Sequence, residues 1–246
     1  MKNKHIYKIQ RWWMKLRLQP IRVFCFHQVS ETFDPDIYCK QDWISIRDFK
    51  AQIEKFQSEG YRFITLAQAY DHIKCDIFRF KKYAVLTADD GLKCHAEIIP
   101  WLDEQHIPVV LFVNAETIFN QTCNQPMKEH FQIINDEDDR KHAEKLFMQI
   151  EDLMAINSPV LSIGLHGLDH KDVRLYSLND FRKSVDICVR DICSHIDIIP
   201  YYAYTYGKHT IDTDRVLWNM NYVPVLTDGA MNYNDPKYIH RELLFN

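Results

Sequence analysis

Three short stretches of the chain hold residues able to do chemistry. They are Asp89-Asp90-Gly91, His166-Gly167-Leu168-Asp169-His170 and Tyr204-Thr205-Tyr206-Gly207. Two histidines four residues apart can meet one metal ion from a helical turn or a curved loop. A carboxylate from another strand then completes a set of three, leaving coordination positions open for water and substrate, as a catalytic metal requires. Adjacent carboxylates allow a division of labour, one binding the metal while its neighbour takes a proton from the attacking water. The glycine that follows permits a tight turn and close approach of a substrate. A plainer reading of the same residues exists. A lone H-x-x-x-H arises easily in a chain with 12 histidines, and Asp89-Asp90 would also serve as a helix N-cap with a favourable dipole contact.

The elements that must position these residues read as alternating β and α segments. Strand-type runs fall at 21–26, 61–64, 83–87, 108–113, 160–165, 198–204, 222–227 and 238–245. Between them, Ile46, Phe49, Ile53 and Phe56 recur at helical spacing after Ser45 and stop at Gly60, and Thr65 with Gln68 forms a capping box. A helix carrying Ile98, Trp101 and Leu102 follows Gly91, with Pro100 as its expected kink. Ala143, Leu146, Phe147, Ile150, Leu153 and Met154 predict one amphipathic helix, Ser177 caps another running to about residue 196, and a third covers roughly 212–221. No repeat or linker divides the series. Repeated β-then-α units imply a parallel sheet, and six to eight of them a barrel, with chemistry at the C-terminal ends of the strands. All three stretches follow such ends.

Composition narrows the class. The 246 residues are 46% hydrophobic and 26% charged, with 6 Gly and 9 Pro, which excludes collagen-like, low-complexity and wholly disordered chains. A net charge of −4 offers no field for nucleic acid. Aromatic residues at 13% suit flat ligands such as sugars, and suit a core equally well. The 7 cysteines form no C-x-x-C pair, which argues against thiolate zinc sites; Cys25 and Cys188 read as small core hydrophobes. Unpaired thiols, no apolar run near the ~20 residues of a membrane span and no signal-peptide pattern predict a cytoplasmic protein. Residues 1–20 form a basic amphipathic segment ahead of a barrel at 21–246. Lys4, Lys8, Arg11 and Lys15 share one helical face, and Ile6, Ile9, Trp13 and Leu16 the other. One reading is a helix capping the barrel with Trp13 in the core. The other is a peripheral membrane contact through residues 1–18.

The motifs resemble a known family. Leu86-Thr87-Ala88-Asp89-Asp90-Gly91 is similar to the T-F-D-D-G motif of the NodB-homology polysaccharide deacetylases, carbohydrate esterase family 4. Ile163-Gly164-Leu165-His166-Gly167-Leu168-Asp169-His170 resembles that family's I-G-x-H-S/T-x-x-H motif. Ile107-Pro108-Val109-Val110-Leu111-Phe112-Val113 and Gly60-Tyr61-Arg62-Phe63-Ile64-Thr65-Leu66 resemble the segments that flank the first motif. Val23-Phe24-Cys25-Phe26-His27-Gln28-Val29 looks like the Y-H-x-V motif of biofilm poly-N-acetylglucosamine deacetylases.

The resemblance implies a distorted (β/α)7-type barrel, a single α/β domain that hydrolyses the acetamide of an N-acetylated sugar. It implies Asp90, His166 and His170 as ligands of a divalent metal, usually zinc, and Asp89 as general base. It implies His27 as the general acid, with His240 as the alternative, and Tyr204 and Tyr206 as substrate-binding residues. Some positions depart from the pattern. Ala88 replaces Phe, Gly167 replaces Ser or Thr, and Thr205 replaces the Pro of a variant F-A-Y-P-Y-G third motif. Where other members place an arginine that orients the base, Ala203 stands, and no D-x-x-D-W motif is evident. Two alternatives therefore stand beside the deacetylase: a catalytically weak or inactive glycan-binding barrel, and a hydrolase of non-sugar cyclic amides.

Overall fold

The computed structural model describes residues 18–33, 40, 42–120 and 145–245. The N-terminal amphipathic face, Cys39 and Cys123 lie outside the described residues. In chain order the elements are β1 (Ile21–Phe26), β2 (Gln28–Ser30), β3 (Trp43–Ser45), α1 (Ile46–Ser58), β4 (Tyr61–Phe63), α2 (Leu66–Cys75), β5 (Lys82–Ala88), α3 (His95–Glu104), β6 (Val109–Val113), α4 (Ala115–Asn120), α5 (Ile150–Ala155), β7 (Leu161–Leu165), α6 (Leu178–Cys193), β8 (Tyr201–Ala203), α7 (Ile211–Asn219), β9 (Val223–Thr227) and β10 (Ile239–Leu243). Among the described residues, no helix is long and apolar enough to cross a membrane.

Seven parallel strands close on themselves in the order β1-β5-β6-β7-β8-β9-β10 and back to β1. The closing seam is the longest ladder: Ile21 to Phe26 pair residue by residue with Tyr83 to Ala88. The distortion lies at the other edge of β5. There β4 pairs with its first half, up to Ala84, and β6 takes over from Leu86. Alternation along each strand sorts side chains between two packed layers. Ile21, Val23, Val85, Val110, Phe112, Tyr201, Ala203, Val225 and Ile239 fill the barrel interior. Phe24, Phe26, Leu86, Leu111, Val113 and Leu165 face outward onto the helices. Gly164 shows how tight the interior is, since a Cβ there would stand 2.5 Å from the Phe112 ring.

The helices start where the capping residues place them. Ser45 accepts from the Asp48 amide, Thr65 and Gln68 complete the capping box, and Ser177 accepts from the Asp180 amide. α3 runs through Pro100. One expected helix is broken. Ala143 lies outside the described residues, and over 145–154 the expected helix is interrupted: the Met148 amide donates to the Gly91 carbonyl and the Lys93 amide to the Leu146 carbonyl, and beyond this point Ile150–Ala155 is helical. Leu146 ends a helical stretch, Phe147 and Met148 lie outside any helix, and all three are buried beside the Asp-Asp-Gly turn, an arrangement that periodicity cannot tell from one helix. The short parallel pair β2–β3 was not legible either, because three-residue strands leave no pattern.

The first residue of α3, His95, is fully buried and ties this layer to the start of the site. A carbonyl only accepts, so its Nε2–H donates to the His27 carbonyl, at 2.5 Å, while its ring packs edge-on against Phe26. Burial pushes its pKa down to about 4. An unfolded chain takes up this proton near pH 6.5, the folded protein only near 4, so stability is full above 6.5 and declines as pH falls. Urea unfolding should show the protein losing about 2 kcal/mol more than His95→Asn between pH 7.5 and 5. Parallel pH curves for the two proteins would remove His95 from the acid response.

Candidate active site

Because the seven strands are parallel, the loops that follow them gather at one mouth of the barrel. β5 ends at Ala88 and delivers Asp89 and Asp90; β7 ends at Leu165 and delivers His166 and His170; β8 delivers the Ala203 carbonyl and Tyr206. Three of these residues hold left-handed backbone conformations unusual for their type: Asp90 (φ 72°), His170 (φ 53°) and Tyr206 (φ 56°). Such conformations cost on the order of 1–3 kcal/mol each and persist where surrounding structure imposes them. Gly167 (φ 96°) lets the chain pass under Tyr202, whose hydroxyl would lie 2.9 Å from a Cβ there. A Ser or Thr at that position would collide, which accounts for the glycine. Thr205, the other departure in the loops, donates its hydroxyl to the Lys171 carbonyl at 2.7 Å and so ties the two loops together.

The donor set suits a divalent cation. Asp90, His166 and His170 are all buried, and one ligand atom from each lies within 4.8 Å of the others. His166 Nε2 is 3.4 Å and His170 Nε2 3.1 Å from the same oxygen, Asp90 Oδ1. A tetrahedral ion with bonds of about 2.0–2.1 Å spaces its donors roughly 3.3–3.4 Å apart. His166 donates Nδ1–H to the Ala203 carbonyl at 2.8 Å, so Nε2 is the nitrogen that it turns toward the carboxylate. Neither oxygen of Asp90 receives a well-formed hydrogen bond among the described residues. With neutral rings the Nε2 lone pairs would face the carboxylate and repel it unless a cation lay between them. Without one, a proton fills that place, and against burial, which lowers it, Asp89 and Asp90 raise the His166 pKa. His170 Nδ1 sits 3.2 Å from the Tyr206 hydroxyl, and Asn114 donates to the His166 carbonyl, so the surroundings orient both rings.

Asp89 is held differently. Arg241, fully buried on β10, donates Nη1–H and Nη2–H to its two oxygens at 2.6 and 2.7 Å. The fork is itself fixed by Thr87 and Thr227 hydroxyls at 3.1 and 2.8 Å. Burial alone would raise the Asp89 pKa, but the Arg241 charge and hydrogen bonds, with His166 and His27 nearby, hold it far below the usual carboxylate range. Asp89 is therefore ionised and aimed. Cys25 is buried as its apolar neighbours suggested, and it also donates its thiol to Asp89 Oδ2 at 3.5 Å. His27 has a ring nitrogen within 4.8 Å of the same two groups.

Two further expectations land elsewhere. Tyr204 is buried in the outer layer beside Phe181 and Tyr202, its hydroxyl donated to Asp214, so its ring is not offered to a ligand. His240 precedes the inward Arg241, faces the other side of β10 and pairs with Asp228 at 2.8 Å. Tyr206, 45% exposed, remains at the mouth. Sequence reading missed Arg241, although a lone arginine inside an apolar strand is a signal in itself, since a buried charge needs a partner.

A family model for polysaccharide deacetylases matches residues 79–225. The chain belongs to that family. Its fold is similar to IcaB from Ammonifex degensii, with 22% identity, 91% of each chain covered and a TM-score of 0.70. It is similar to a de-N-acetylase from Aggregatibacter actinomycetemcomitans, with 15% identity, 92% and 95% coverage and a TM-score of 0.69. The Streptococcus pyogenes deacetylase PplD, determined in complex with acetate, is also similar, at 17% identity, 92% coverage of both chains and a TM-score of 0.67. A search of curated proteins gave no significant match. The matched span includes Asp89, Asp90, His166 and His170 but ends before Arg241.

The cation fit is open to direct measurement. Zinc at 100 times its dissociation constant should stabilise the protein by about 2.7 kcal/mol, a rise of roughly 5–10 °C in Tm. Asp90→Asn and His170→Ala should lose most of that rise and most of the bound zinc in equilibrium dialysis. Undiminished shifts in both would place the ion elsewhere.

Proposed function

We propose that this polysaccharide deacetylase is a metal-dependent enzyme that removes the acetyl group from an N-acetylated hexosamine glycan, with zinc as its ion. The observation that carries the reading is the pairing, in one buried mouth, of a cation-ready triad with a second carboxylate held ionised by Arg241. The ion, held by Asp90, His166 and His170, would supply Lewis-acid activation of the acetamide carbonyl and of water. Everything else falls to the chain's own residues.

Asp89 takes the proton of the attacking water. Arg241 occupies one side of the carboxylate and leaves the lone pairs on the other side, toward His27 and His166, to do this. An amine leaves poorly unless protonated, and His27, with a ring nitrogen within 4.8 Å of an Asp89 oxygen, is the group that donates that proton in this reading. His240 is the weaker alternative, because its ring is engaged by Asp228 on the far side of the strand. Tyr206 offers an exposed ring beside His170 for a sugar to pack on. The similar structures support the chemistry, one being of a de-N-acetylase and another of a deacetylase in complex with acetate. Absence of an arginine at position 203 had favoured an inactive barrel. Arg241 removes that argument, since the base has its guanidinium from another strand.

Acetate release from N-acetylglucosamine oligomers, with zinc-loaded protein, tests the assignment. Asp89→Asn should keep its zinc and lose about 10²–10⁴-fold in kcat. Arg241→Lys, which keeps the charge but not the fork, should lose about 10²-fold with zinc content unchanged. His27→Ala should be far more damaging than His240→Ala. Near-normal turnover by metal-replete Asp89→Asn would sink the mechanism, and a crippled His240→Ala beside a healthy His27→Ala would transfer the acid role.

A further inference from the structure

Beside the Asp90 triad lies a second set of metal-ligating groups that shares no residue with it. The Cys25 sulfur, a His27 ring nitrogen and an Asp89 oxygen all lie within 4.8 Å of one another. The barrel's closing seam brings them together. Cys25 is the last inward residue of β1, His27 follows two positions later, and Asp89 leaves β5 where Phe26 pairs with Ala88. Cys25 Sγ is 3.5 Å from Asp89 Oδ2. A tetrahedral ion with bonds of about 2.3 Å to sulfur and about 2.0 Å to oxygen sets those two donors about 3.5 Å apart. Bridging them by an ion thus needs little movement of either side chain.

We propose that Cys25, His27 and Asp89 form a second, weaker site for a thiophilic divalent cation, filled only when such a cation is in excess. Thiolate, imidazole and carboxylate together favour zinc, cobalt or cadmium over magnesium or calcium. Binding forms a sulfur–metal bond and releases the Cys25 thiol proton to solvent, with no change of oxidation state. Two features make the site weaker than the first. The thiol must give up its proton in a buried setting, and the Arg241 guanidinium already neutralises Asp89 and repels an approaching cation. The consequence for turnover rests on the proposed function. An ion here would occupy both the base Asp89 and the acid His27, so excess zinc would inhibit where the first equivalent activates.

Cobalt titration of the metal-free full-length protein tests the site without relying on turnover. The expected result is two bound equivalents, the near-ultraviolet thiolate-to-cobalt band growing with the second. Cys25→Ser and Cys25→Ala should each bind one equivalent and lack the band, whereas His170→Ala should retain it. Absence of the band at saturation, or an undiminished band in both folded Cys25 variants, overturns the proposal. Acetate release followed in the same titration separates the two claims. Band growth without acetate release at any stage leaves the second site standing and removes the deacetylase mechanism. Turnover that is undiminished at saturation, with no band, does the reverse.

Discussion

Two carboxylates stand side by side in the mouth of a closed barrel, Asp89 at 4% and Asp90 at 1% exposure, and the surroundings are arranged around the need to balance them. Burying an unpaired charge is prohibitive, so each requires its own counterion. Asp89 has one in the guanidinium of Arg241. Asp90 has two histidines whose outer nitrogens are oriented so that their inner ones converge on it. One carboxylate is permanently satisfied and the other is left for a cation. In the proposed mechanism that asymmetry makes one the proton acceptor and the other a ligand.

A buried ion pair of this kind is poor evidence for stability. Desolvating both partners offsets most of their attraction, and well-packed apolar residues often serve a fold as well. What the Arg241–Asp89 fork supplies is direction. Its two parallel bonds fix the plane of the carboxylate, and the Thr87 and Thr227 hydroxyls fix the fork. Arg241 lies on β10, the strand beside β1, and Asp89 follows β5, which closes on β1, so closure of the barrel and aiming of the Asp89 carboxylate depend on the same few strands.

The departures from the family pattern become intelligible in this setting. At position 203 the site uses the carbonyl, which any residue provides, while the guanidinium arrives from β10. Gly167 answers the Tyr202 hydroxyl above it, and Thr205 ties its turn to the His170 loop through a hydroxyl that proline lacks. Each substitution is local, and each is matched by a neighbour.

Period-two alternation and capping residues were enough to read the succession of strands and helices, because both act over a few neighbouring positions. Ser45, Thr65 and Ser177 cap where expected. The two motifs likewise identified Asp89, Asp90, His166 and His170, since their chemistry resides in residue type and short spacing. Local pattern failed where burial came from distant chain. Phe147 and Met148 are buried because they line the Asp-Asp-Gly turn, not because they share a helical face. Cys25 is core, as its neighbours suggested, but nothing local showed that Asp89 would arrive beside it from another strand, and Tyr204 looked like a ligand platform until Asp214 claimed its hydroxyl. Arg241 is separated from its carboxylate by 152 positions. The sequence alone determined which groups are chemically able; closure of the barrel decided which meet, because strand register brings distant residues within bonding distance and no local spacing encodes it.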